Sequence, residues 1–185
     1  MKSGRSVYTI EFSHPQKNLN SRTKRNPEEV FGTAFSDYYT KSFEKIHNRT
    51  EKNNTLFVRE VPVFSNGIAD LLAFSWNSQS EKLHREDIFI IRSFEFKIKD
   101  WRKGLMQAYR YRNYSNASIL VMPTDRIENA RKSIETFRNL KVGLWGFDCE
   151  SGKISRIYTP RPRNVLSQKS RTYALKKVLN EFVDL

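Results

Sequence analysis

Cysteine is nearly absent: Cys149 stands alone in 185 residues. One thiol excludes an internal disulfide, a tetrahedral cysteine zinc site and a four-cysteine iron–sulfur cluster, and it fits a reducing compartment, the cytoplasm. Histidine is scarce as well. His14, His47 and His84 sit in polar surroundings without metal-ligand spacing or a nucleophile partner, so neither a zinc site nor a catalytic triad is expected. No apolar run approaches the roughly 18 residues that cross a bilayer. The start, MKSGRSVYTIEF, is basic but has no apolar signal-peptide stretch, so no membrane association is expected. Acid is in deficit, with 20 Asp and Glu against 33 Lys and Arg, a net charge of +13. With 13% aromatic residues, that excess points to a polyanionic partner, nucleic acid.

The length suits one domain with one proper core. Residues 1–25 combine an alternating run, 7–12, with the polar and basic HPQKNLNSRTKR, and they read as a basic arm before a single domain over 26–185. Asn26-Pro27-Glu28-Glu29 offers an N-cap, a proline at the first helical position and an acid three residues after the cap. Phe31, Ala34, Phe35, Tyr38 and Ile46 then recur at helical spacing, which predicts a helix to about residue 45 or 48. Three strand-like segments follow, 55–64, 68–76 and 87–99, rich in β-branched and aromatic residues. Ser65-Asn66-Gly67 reads as the turn of an antiparallel hairpin, and NSQSEKLHRE as the next loop. Beyond them the pattern predicts a helix over 101–113, a buried strand in SILVM and a helix over 125–140. Strands in VGLWGF and ISRIYT, joined through CESG, and a closing helix over 168–183 complete the chain. This order predicts an α/β fold, a mixed β-sheet flanked by α-helices.

In SFEFKIKD, alternation sends Phe94, Phe96 and Ile98 to one face and Glu95, Lys97 and Lys99 to the other. Asp70 opens the preceding strand, so antiparallel pairing sets it opposite Glu95. Asp70, Glu95 and Lys97 can therefore converge. Two carboxylates and a lysine suit phosphodiester hydrolysis. Carboxylate oxygens hold Mg²⁺, the ion acidifies a bound water, and lysine positions or helps deprotonate that water while offsetting phosphate charge. The plain alternative is a solvated strand face.

Three motifs occur in order over roughly residues 26–125: Gly67-Ile68-Ala69-Asp70, Glu95-Phe96-Lys97 and Gln107-Ala108-Tyr109-Arg110-Tyr111. This series resembles the PD-(D/E)xK nuclease superfamily, and its last element is similar to the Q-x-x-x-Y motif of the RecB-like branch. Ala69 stands where the motif name has proline. The resemblance implies a restriction-endonuclease-like core and a Mg²⁺-dependent nuclease, with Mn²⁺ as a substitute. Asp70 and Glu95 would hold the metal with the Phe96 carbonyl, and Lys97 would serve the attacking water. Gln107 and Tyr111, one turn apart on one helix face, would contact DNA or orient the site. For the family's helix-borne acid, Glu28 lies at the margin of the inward face, whereas Glu29, Asp37 and Glu44 point farther away. Glu28 equally suits the helix dipole as a first-turn acid. Glu60, on the first strand of the hairpin, is a further acid able to approach the metal.

The helix DWRKGLMQAYRYRNY turns Trp101, Leu105, Ala108 and Tyr109 inward and leaves Arg102, Lys103, Arg110 and Arg112 for phosphate or solvent. The SRTKR arm, TPRPR with Arg161 and Arg163, and QKSR at the entry to the last helix add basic surface. GFDCESGK has five residues between its glycines where a P-loop has four, and Ile154 replaces the needed Ser or Thr, so it reads as a hairpin turn with an incidental thiol. The resulting expectation is a cytoplasmic, Mg²⁺-dependent DNA endonuclease in recombination, mobile-element processing or defence. It would act alone, as a homodimer or beside a larger protein partner, and a Holliday-junction resolvase is its narrower form. The alternative is a non-catalytic nucleic-acid-binding or assembly protein on the same fold.

Overall fold

The computed structural model describes residues 7–11, 26–47, 53–63, 66–77 and 89–182. Six strands form a mixed sheet: β2 (Asn53–Pro62), β3 (Ile68–Asn77), β4 (Ile90–Phe96), β5 (Ala117–Pro123), β6 (Val142–Phe147) and β7 (Ile154–Tyr158). At the β2 edge, β1 (Val7–Glu11) pairs in parallel and extends the sheet to seven strands, in chain order. Residues 7–11 of the expected arm thus join the sheet, while SRTKR lies outside the described residues. Pairs β2/β3, β3/β4 and β6/β7 are antiparallel, and β4/β5 and β5/β6 are parallel.

Alternation divides the core between two faces. On one, Phe31, Phe35 and Tyr39 of α1 (Pro27–His47) pack on Phe57, Leu71, Phe94, Phe96 and Trp145. Phe35 is fully buried, which by area alone is worth about 1.5–3 kcal/mol. The other face is covered by α2 (Trp101–Tyr111), α3 (Glu128–Lys132), α4 (Ile134–Leu140) and α5 (Gln168–Phe182). The expected cap of α1 is present, since Asn26 Oδ1 accepts from the Glu28 amide at 3.1 Å. Gly67, at φ +92°, closes the β2–β3 hairpin with its carbonyl accepting from Val63 N.

Three boundaries differ from the sequence pattern. The expected helix over 125–140 is a 3₁₀ turn (Thr124–Arg126) followed by α3 and α4, because Ser133 leaves helical dihedrals at φ −101°, ψ 25°. Ile127, Ala130 and Phe137 stay buried across the break, so apolar spacing alone reads as one helix. Strand β4 stops at Phe96, short of the expected residue 99, and Asp100, in a left-handed conformation, caps α2 at the Lys103 amide with its side chain. That helix ends at Tyr111, two residues early, in a turn through Tyr114. Most of the expected NSQSEKLHRE loop lies outside the described residues. Among the described residues, no helix is long and apolar enough to cross a membrane.

Candidate active site

Pairing Leu71 with Phe94 sets the register of β3 against β4, and the next step toward the sheet end brings Asp70 beside Glu95. Asp70 Oδ2 accepts from the Phe96 amide at 2.6 Å. Glu95 is 1% exposed, with Oε1 2.7 Å from Lys97 Nζ and Oε2 2.5 Å from the Tyr111 hydroxyl. Lys97 Nζ also donates to the Phe96 carbonyl at 3.0 Å and lies 3.5 Å from Glu28 Oε2. Glu28 Oε1 stands 3.5 Å from the Ile98 amide. Side chains from α1, β3, β4 and α2 thus meet at one end of the sheet, with Glu28 reaching the group through Lys97.

Two glycines permit this approach. A Cβ on Gly32, one turn beyond Glu28, would stand 2.5 Å from Phe96 Cδ2, so only glycine lets α1 settle on the end of β4 undisturbed. A Cβ on Gly104 would meet Lys97 Cγ at 2.7 Å and Leu120 Cδ1 at 2.6 Å. Gly104, Gln107 and Tyr111 lie at helical spacing along the side of α2 that meets Lys97 and Glu95. Gln107 Oε1 is buried there without a hydrogen-bond partner. The Tyr111 hydroxyl is also 2.6 Å from the Ile68 carbonyl, and its single proton serves one acceptor at a time.

The electrostatics follow from this crowding. Burial and the Glu95 charge push Asp70 up to about 7, against the downward pull of the Phe96 amide and Lys97. Burial raises Glu95 as well, opposed by Lys97 and Tyr111. Burial works to depress the Lys97 ammonium, but Glu95, Glu28 and Asp70 together outweigh it and carry the group upward. With the cluster free of metal, its acidic neighbours thus hold the Lys97 ammonium protonated. Burial and Glu95 likewise raise the Tyr111 phenol.

A cleft of about 200 Å³ opens on the α1 side of this group, lined by Glu28, Glu29, Arg59, Glu60 and Asp70, with Phe96 at its wall. Glu60 falls in the gap of the β2–β3 register opposite Asp70 and takes φ +53°, a left-handed conformation rare for a residue with a side chain. Among the described residues, no three His, Cys, Asp or Glu side chains form a metal-ligand group. Mg²⁺ asks for less, since one or two carboxylates and several waters suffice. Asp70, Glu95 and the Phe96 carbonyl offer hard oxygens, and Asp70 is held up by neighbouring negative charge that a cation would offset. Orphaned Gln107 Oε1 adds an acceptor on the adjoining helix face. The donor set fits Mg²⁺, provided that the Lys97 ammonium yields its contacts to Glu95 Oε1 and the Phe96 carbonyl.

The expected phosphate contacts divide. Arg102, Lys103 and Arg110 are exposed, with the Arg102 guanidinium 4.6 Å above the Trp101 ring, but none lines the cleft. Arg112 is committed elsewhere, because Nη1 donates to the Leu140 carbonyl at the end of α4 (2.9 Å). Arg161 and Arg163 are exposed on a loop tied to Asn116 by the Arg163 amide and carbonyl. Asn116 precedes β5, whose Val121 pairs with Phe96; five strand residues, about 17 Å, therefore separate this loop from the site end of the sheet. Arg171 of QKSR is buried and donates to Asn116 Oδ1 and the Phe89 carbonyl. Asp148 and Lys153 close the expected turn between β6 and β7, where burial raises the Cys149 thiol. His14 and His84 lie outside the described residues. The sequence pattern did not disclose the roles of Gly32 and Gly104 or the arrival of Glu29 and Arg59 at the cleft. A glycine one turn after Glu28 was the available signal for the first of these. No family model and no curated protein matches the chain.

Proposed function

We propose that this chain is a Mg²⁺-dependent DNA endonuclease on a restriction-endonuclease-like core of the PD-(D/E)xK kind. One observation carries this: Glu95 and Lys97, 1% and 9% exposed, form a charged cluster with the half-buried Asp70 and Glu28, and these last two line a cleft. Burying charge costs stability that well-packed apolar residues would spare, and a solvated strand face needs none of it. The run α1-β2-β3-β4-α2-β5 supports the same reading, as does the net charge of +13, which draws DNA.

Asp70, Glu95 and the Phe96 carbonyl would hold Mg²⁺. When bound, the ion supplies Lewis-acid activation of water and charge relief at the phosphate. Lys97 would place positive charge beside the scissile phosphate and orient the attacking water. Glu28 braces the Lys97 ammonium and the Ile98 amide from α1, and Tyr111 fixes Glu95 from α2.

The test is cleavage of supercoiled, linear, single-stranded, flapped and four-way DNA with Mg²⁺, Mn²⁺ or EDTA. Asp70→Ala and Glu95→Ala should abolish cleavage with DNA affinity equal or higher, because an acid facing phosphate is removed. Full activity in EDTA, or undiminished cleavage by both variants, overturns the mechanism. The alternative is a non-catalytic nucleic-acid-binding or assembly protein on the same fold. It predicts binding without cleavage on every substrate. Preference for four-way DNA selects the junction-resolving form.

A further inference from the structure

A second groove, of about 340 Å³, lies between α1 and the β6–β7 hairpin; Tyr38, Ser42, Ser151, Lys153 and Arg156 form its polar part, and Tyr39, Phe43 and Ile154 line the rest. It carries two cations and several hydroxyl groups, and none of the described residues lining it is acidic; the Asp148 carboxylate across the turn is the acid that faces Lys153. Its walls are braced. The Arg156 guanidinium sits 4.9 Å above the Trp145 ring, and Tyr38 packs 5.9 Å from Phe147. Gly152, at φ +69°, presses the hairpin turn against the Tyr38 ring, where a Cβ would collide.

We propose that this groove binds the DNA phosphate backbone at a distance from the cut, an inference that rests on the nuclease function proposed above. Cations beside hydroxyl donors suit phosphate, and the bracing of Arg156 and Tyr38 lowers the entropy cost of binding. Both the acid cleft and this groove border α1. From Glu28 to Tyr38 the helix advances ten residues, about 15 Å, which matches about four base pairs of duplex. The groove next to Phe31 carries Asp125, Asp148 and Glu150 against the single cation Arg126, which is paired with Asp125, so it should hold the backbone less well than the groove at Lys153 and Arg156.

The experiment measures duplex affinity in EDTA against salt for the wild type, for Lys153→Gln with Arg156→Gln, and for an equally neutralised control, Lys132→Gln with Lys176→Gln. Leaving two phosphates without a cation should lower the slope of log affinity against log salt by about 1.8, with unchanged melting temperature and the control near wild type. In Mg²⁺, the groove variant should slow cleavage at limiting enzyme when the duplex extends about six base pairs beyond the cut on that side, and not when it extends two. An unchanged slope, or an equal fall in the control pair, overturns the groove. Binding needs no turnover, so the outcomes separate: a lowered slope in a protein that never cleaves leaves the groove standing and removes the nuclease, and cleavage with an unchanged slope does the reverse.

Discussion

Asp70 holds its proton to about 7 where an unfolded chain releases it near 3.8. Between those values the folded state binds the extra proton, so the penalty for burying this charge is absent below about 4, grows as pH rises, and is complete above about 7. Asp70→Asn should therefore stabilise the fold in EDTA by more at pH 8 than at pH 5, the difference being about a few kcal/mol, and raise the melting temperature accordingly. Calorimetry at the two pH values checks this, and an equal gain at both would refute the buried-charge account. Mg²⁺ should in turn stabilise the wild type more than the variant. Lys97 makes a different prediction because it acts as a cation. Lys97→Ala should lose about two orders of magnitude in single-turnover rate, while Lys97→Arg keeps part of that rate with an unaltered pH profile near neutrality. A loss that disappears at saturating DNA would reassign Lys97 to phosphate binding.

Between neighbouring elements, closeness is set by what is missing from the side chain. Gly32→Ala places a methyl 2.5 Å from the Phe96 ring, so α1 or the ring must move. The expected cost is about 1–3 kcal/mol in denaturant titration. Cleavage should fall further than that cost explains at a temperature where the variant is fully folded, because Glu28 rides on the displaced turn; normal cleavage there would separate Glu28 from the chemistry. Strand alternation made Glu95, Lys97 and the facing Asp70 legible from sequence, and the cap at Asn26 with its apolar stripe made α1 and the position of Glu28 legible. What escaped has no local period. The parallel pairing of β1, the helix break at Ser133 and the left-handed turn of Glu60 depend on partners distant in the chain or on single dihedral angles. The roles of Arg112 and Arg171 escaped for the same reason, since composition cannot distinguish an arginine that ties two segments together from one that awaits phosphate.

Across the whole molecule, the positive charge should act unequally. Substituting glutamine for Arg102, Lys103 and Arg110 should leave stability nearly unchanged and flatten the salt dependence of DNA binding, by up to about 0.9 for each phosphate left without its cation. Arg112→Gln should do the opposite, costing about 1.5–3 kcal/mol through the missing bond to the Leu140 carbonyl while the salt slope holds. Thermal melts beside salt titrations distinguish the two, and a lower slope for Arg112→Gln would restore it as a phosphate ligand. The order of the sheet has a consequence for synthesis. Because strands β1 through β7 adjoin in chain order, a chain leaving the ribosome can add each strand to an edge already formed, without waiting for a later segment to be threaded between earlier ones. Glu28, Asp70, Glu95, Lys97 and Tyr111 all precede β5, so every side chain of the charged cluster has been translated before the last three strands emerge.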